Sequence, residues 1–161
     1  MSVTVKETNL RFGPLSNRSE TSLIVIHHVG EIDRDVSAAE IHQWHQNQGW
    51  SGIGYHYVIR KDGTIERGRP RTTIGAHAEG FNSKSIGINI VGDFEQAQPT
   101  SAQIESAAQL IAELADIYEL TPTAETVVGH RDLMATTCPG ENLYNILQTI
   151  RGKAIWYQQN S

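Results

Sequence analysis

A histidine and a cysteine lie eight residues apart in Gly129-His130-Arg131-Asp132-Leu133-Met134-Ala135-Thr136-Thr137-Cys138-Pro139-Gly140. A loop of that length can curl so that both side chains meet at one centre. Imidazole and thiolate are both good zinc ligands. The Cys-Pro-Gly turn makes a sharp bend that would fix the sulfur. Cys138 is the one cysteine in 161 residues, so no internal disulfide competes for it. Burial as a small hydrophobe is the plainer role for such a residue. A third donor decides between the two, and Leu23-Ile24-Val25-Ile26-His27-His28-Val29 offers one. An imidazole at the end of an apolar strand is costly unless it is bonded. Side chains alternate along a strand, so His27 and His28 point to opposite faces and one straight strand cannot offer both. Two histidines and one cysteine give three ligands and an open fourth position, the count of a catalytic zinc centre. A structural site would want a fourth protein ligand, and no second cysteine exists to supply it.

Other residue types invite chemistry with less specificity. Tyr55, in Gly54-Tyr55-His56-Tyr57, is either a core aromatic or a phenol donor. His77, in Gly75-Ala76-His77-Ala78, is either bonded to neighbouring backbone or exposed in a cleft. His42 and His45 have the i, i+3 spacing that can bind metal on a helix, although a solvated helix face explains them as well. Arg67, Arg69 and Arg71 form a solvated turn or a rim that meets an anionic substrate. Trp44 and Trp50 are core residues or platforms for stacking.

These residues need a frame. The run from Leu23 to Val29 reads as a buried strand. Ser37-Ala38-Ala39-Glu40 is a capping box, so a helix starts there and runs to about Gln48, stopping at Gly49. Gly54 to Arg60 and Thr64 to Arg67 flank the turn Lys61-Asp62-Gly63-Thr64 as a hairpin. Ser85 to Val91 alternates apolar with small or polar residues, as a central strand does. Thr100 and Gln103 make a second capping box at the start of a helix to Tyr118. Ile104, Ala107, Ala108, Ile111, Leu114, Ala115 and Tyr118 form its apolar stripe. Thr126 to Gly129 is a short strand ending at His130, and Leu143 to Ile150 a closing helix. Residues 1–20 read as irregular. Interleaved strands and helices imply an α/β layer fold of one domain over residues 1–161.

Composition narrows the function. A net charge of −5 argues against a basic face for nucleic acid. No apolar run approaches the ~20 residues of a membrane helix, so no membrane insertion is expected. Met1 to Glu7 has no apolar core of a signal peptide.

Four segments taken together resemble a known family. They are Ile24-Val25-Ile26-His27-His28; Gly54-Tyr55-His56-Tyr57-Val58-Ile59-Arg60-Lys61-Asp62-Gly63; Gly75 to Ile88; and His130 to Gly140. In this order they are similar to the zinc-dependent N-acetylmuramoyl-L-alanine amidases, which include phage amidase endolysins and peptidoglycan recognition proteins. The resemblance runs from about residue 22 to 150. It implies a central mixed β-sheet flanked by helices, with one Zn2+ in a surface cleft. It selects His27 over His28 and maps the metal ligands onto His27, His130 and Cys138. It maps a catalytic tyrosine onto Tyr55 and a second catalytic position onto Thr136. Many phage members carry lysine there and many recognition-protein amidases threonine. A threonine donates one hydrogen bond without a charge. His77, Asn82 and Arg69 are the implied substrate contacts. The implied reaction is hydrolysis of the amide between N-acetylmuramic acid and L-alanine of the stem peptide. Bacterial peptidoglycan is then the partner, and the chain is expected to act as a monomer. A phage endolysin, made in the cytoplasm and released through a holin, fits best. A wall-recycling or effector amidase and a non-cutting peptidoglycan-binding module are the alternatives. Non-catalytic relatives typically lose the cysteine, which is present here.

Overall fold

The computed structural model describes residues 3–161. Its six strands are β1 (Val5–Lys6), β2 (Leu23–His28), β3 (Tyr57–Ile59), β4 (Ile65–Arg67), β5 (Ser85–Ile90) and β6 (Val127–Gly129). They form one sheet in the order β1-β4-β3-β5-β2-β6. The β3–β4 hairpin pairs antiparallel and every other neighbouring pair is parallel. The helices are α1 (Ala38–Asn47), α2 (Ser101–Ile117), α3 (Glu141–Tyr144) and α4 (Leu147–Gln159). This is the α/β layer fold that the element pattern predicts and the mixed, helix-flanked sheet that the family resemblance implies.

The two central strands are Ile- and Val-rich because parallel strands are covered on both faces. Ile24 pairs with Ile86 and Ile26 with Ile88. Their side chains pack on Leu110, Ile111 and Leu114 of α2 and on Leu147, Ile150 and Ala154 of α4. The opposite face is thinner. Val58 and Val91 pack there with Ala38 and Ile41 of α1 and with Ile53. Strand alternation puts His27 and its neighbour Asn89 on this thinner face.

Both capping boxes form. Ser37 Oγ accepts from Glu40 N at 3.1 Å, and Thr100 Oγ1 accepts from Gln103 N at 3.1 Å. The reciprocal contacts are present at 3.3 and 3.1 Å. Each cap is worth about 1 kcal/mol.

The structure departs from expectation at both ends. Val5 and Lys6 pair with Ile65 and Glu66, so residues 1–20 are not wholly irregular; a two-residue strand leaves no periodicity to read. The closing helix is two pieces and extends to Gln159. Its buried stripe is Leu147, Ile150 and Ala154, and Gly152 lies inside the span without breaking it. Packing of α4 on α2 overrides the modest local propensity.

Candidate active site

His27 is the penultimate residue of β2, and His130 follows β6, its parallel neighbour. The carboxyl ends of parallel strands are where open α/β sheets bind ligands. Cys138 reaches the same place from the loop after His130. Arg131 N donates to Cys138 O at 2.8 Å, closing that loop. Donor atoms of His27, His130 and Cys138 all lie within 4.8 Å of one another. Cys138 Sγ is 3.7 Å from His27 Nδ1. Donors held about 2.0–2.3 Å from one tetrahedral ion sit at close to that spacing. His130 turns Nε2 to Met134 Sδ at 3.0 Å, which leaves Nδ1 for the cluster.

His28 points away from this centre. Its Nδ1 accepts from Phe94 N at 3.1 Å, and its ring stacks on Phe94. The choice that strand alternation left open is thus made by packing. His28 still serves the cluster, because its backbone N–H donates to Cys138 Sγ at 3.4 Å.

The electrostatics suit a cation. Burial, with His77, His130 and His28 adding to it, pushes His27 well below the ordinary imidazole range; burial also lowers His130. Both rings are therefore neutral donors. Burial pushes the Cys138 thiol up to about 12, against the His28 N–H. A thiolate in this pocket needs a positive partner, and no lysine or arginine bonds to it among the described residues. Two neutral imidazoles and a thiol that ionises only beside a cation are a donor set that fits zinc.

A cleft of about 460 Å³ opens over the cluster, lined by Tyr55, His130, Thr136 and Cys138 and by the carboxylates of Glu31, Asp93 and Glu95. Tyr55 lies across from His27, with ring centroids 4.9 Å apart. The strand ladder continues past β3 to hold it, as Arg69 N donates to Tyr55 O at 2.9 Å. Burial, with Cys138 second, raises its phenol above the ordinary value, so it keeps its proton. Thr136 Oγ1 accepts from Cys138 N at 3.2 Å, which leaves its own O–H to donate. A second hollow of about 450 Å³ meets the first at His130. Trp50, Ala76, His77, Asn82 and Met134 line it. Trp50 is 42% exposed there, whereas Trp44 packs against the thinner core.

Several expected contacts are placed differently. Arg69 is buried, and its guanidinium donates to Ile53 O at 2.8 Å and Ile74 O at 3.0 Å. It holds backbone and does not reach either hollow. Arg67 pairs with Glu7, and Arg71 donates to Tyr118 Oη, so the arginine trio fastens the fold. His42 and His45 bind no common centre and are not a solvated face. Their Nδ1 atoms accept from Ile53 N and Gly54 N at 3.0 and 2.9 Å, positioning the segment that carries Tyr55. Asn82 Oδ1 accepts from His77 N and Ala78 N, both at 2.9 Å. His77 is buried, and its Nδ1 lies 2.9 Å from His27 Nε2.

Sequence reasoning passed over Asn89. It is 1% exposed, stands beside His27 in the sheet, and neither side-chain atom finds a partner. A carboxamide in a strand buried on both faces was the available signal. It borders a small cavity shared with Tyr55, Trp44 and His45.

A family profile for N-acetylmuramoyl-L-alanine amidases matches residues 17–141. The chain belongs to that amidase family. The amidase is similar to the endolysin of Klebsiella phage KP32, at 37% identity over 134 residues, covering 80% of this chain and 86% of that one. It is also similar to peptidoglycan-recognition protein SC2 of Drosophila melanogaster, 36% identical over 151 residues, covering 86% and 82%. Among solved structures, the N-acetylmuramoyl-L-alanine amidase LysC from Clostridium intestinale superposes with a TM-score of 0.86. The identity is 37%, over 94% of this chain and 97% of that one.

The amidase fold carries a pH signature of its own. His56 is fully buried; Nδ1 accepts from Gly87 N at 3.0 Å, so Nε2–H donates to Thr73 O at 2.8 Å. Burial lowers this ring to about 3. The unfolded chain titrates near 6.5 and takes up the proton that the folded state refuses. The stability contribution is complete above about pH 6.5 and is lost as pH falls toward 3. Urea unfolding should therefore show a decline below about pH 6.5, of up to about 1.4 kcal/mol per pH unit from His56. A flat profile between about pH 6.5 and 4 would contradict a neutral buried ring.

Proposed function

We propose that the chain is a zinc-dependent endolysin-type amidase. His27, His130 and Cys138 would hold one Zn2+, with Tyr55 and Thr136 supplying hydrogen bonds to the reacting amide. The convergence of the three donors beneath the cleft that Tyr55 borders carries this reading. When bound, the ion supplies Lewis-acid polarisation of the scissile carbonyl and activation of water near neutral pH.

The chain's own groups do the rest. Tyr55 keeps its proton and donates it as a hydrogen bond to the oxyanion as the carbonyl carbon becomes tetrahedral. Thr136 can donate a second bond without charge. Burial keeps the two imidazoles neutral, so their lone pairs remain available to a metal. The two hollows meeting at His130 give the substrate two directions to extend. Trp50, in the apolar hollow, offers a face on which a sugar ring stacks, and Asn82 Nδ2 is free to bond there. His77 borders the same hollow.

Bacterial peptidoglycan is the substrate in this reading, reached by release from a host cytoplasm through a holin-type pore. No helix among the described residues is long and apolar enough to cross a membrane. The test is product identity. Incubation with purified peptidoglycan should release new free L-alanine amino termini and no new reducing sugar ends. Peptidoglycan that is bound but uncut in the presence of zinc would make the chain a recognition module instead.

A further inference from the structure

The His77 side chain is held more tightly than a substrate contact requires. Its Nδ1 lies 2.9 Å from His27 Nε2, and its Nε2 lies 3.2 Å from Ser85 Oγ. Ser85 Oγ in turn donates to Phe81 O at 2.8 Å. We infer that His77 and Ser85 are positioning residues that lock the His27 ring as its Nε2–H tautomer and so present the Nδ1 lone pair to the metal. The inference rests on the zinc reading for its consequence, but the direction of the chain follows from the protein alone.

That direction is set at the far end. A backbone carbonyl can only accept, so the Ser85 hydroxyl spends its proton on Phe81 O. The Ser85 oxygen then accepts, and the proton it receives is the one on His77 Nε2. A ring protonated on Nε2 has a lone pair on Nδ1. That lone pair accepts from His27 Nε2–H. His27 Nδ1 is left without a proton, and it is the atom 3.7 Å from Cys138 Sγ. Ligating histidines usually give their second N–H to a carboxylate, carbonyl or water; here an imidazole takes that place.

The sequence makes room for the arrangement. Ser85, Gly87 and Asn89 alternate with Ile86, Ile88 and Ile90 along β5, so one face of the strand is small or polar. A Cβ on Gly87 would lie 2.5 Å from His77 Cγ, and one on Gly75 would lie 2.7 Å from Cδ2. Two glycines thus cage the ring, and Asn82 pins its backbone.

Zinc affinity, read by competition with a chromophoric chelator, tests the inference. His77→Leu should weaken zinc binding about 10- to 100-fold. His77→Asn keeps an acceptor oxygen near the place of Nδ1 and should recover most of that loss. Ser85→Ala should fall between them. An unaltered zinc Kd in His77→Leu, with zinc-binding wild type beside it, overturns the inference. A wild type that binds no zinc overturns the metal reading instead. If His77→Leu does not fold, long-range 1H–15N spectra of the metal-free wild type decide. Both His27 and His77 should carry their proton on Nε2, and a proton on Nδ1 of either ring overturns the relay.

Discussion

Cys138→Ser should lose its zinc and at least about a thousandfold of amidase turnover, because a metal's Lewis acidity is worth several kcal/mol and each 1.36 kcal/mol is a factor of ten. The substitution changes one atom at a half-buried site, so the fold should persist. The chemistry changes more than the shape. A thiolate is a soft, anionic ligand, whereas a serine hydroxyl stays protonated and reaches less far. The two remaining donors, His27 and His130, are neutral and cannot balance the ion's charge. The variant should also lose any zinc-dependent rise in Tm, since a ligand stabilises only the state that binds it. Metal content, turnover and melting in parallel separate ligand loss from misfolding. Full turnover in this variant would remove Cys138 from the ligand set.

Tyr55→Phe should cost about 10²–10³ in kcat with little change in KM, the usual loss when one oxyanion donor is removed. The ring that packs near His27 is retained, so zinc affinity should be unchanged. The phenol matters as a donor because burial and Cys138 keep it protonated through the working range. Zinc content unchanged with kcat reduced would set this variant apart from Cys138→Ser. An unchanged kcat would return Tyr55 to a packing role.

The parts legible in the sequence were those with local signals. Capping boxes at Ser37 and Thr100 marked the starts of α1 and α2 to within a residue. The apolar run of β2 and the short His130–Cys138 spacing pointed to the cluster, and the family resemblance chose His27 over His28. The parts that were not legible depend on which partner the fold brings to each side chain, which spacing alone does not say. His42 and His45 clamp the backbone of Ile53 and Gly54, and helical spacing alone could not distinguish that from metal binding. Arg69 is spent on carbonyls of residues 53 and 74, so its charge never reaches the cleft. The family resemblance made His77 a substrate contact, and its local sequence left it either bonded to neighbouring backbone or exposed in a cleft. Its nitrogens are taken up by His27, fifty residues earlier, and by Ser85 at the start of β5. The alternation in Ser85-Ile86-Gly87-Ile88-Asn89-Ile90 held the clue, since a strand buried on both faces has no use for three small or polar residues unless something occupies the room they leave.

The proposed reaction needs a single catalytic zinc held by His27, His130 and Cys138. Stripping the protein of metal and titrating zinc back while following release of L-alanine amino termini from peptidoglycan tests it most directly. Turnover should be at background without metal, rise in proportion to added zinc, and level off at one ion per chain. Full turnover in the stripped protein, or a plateau at two ions, would contradict it.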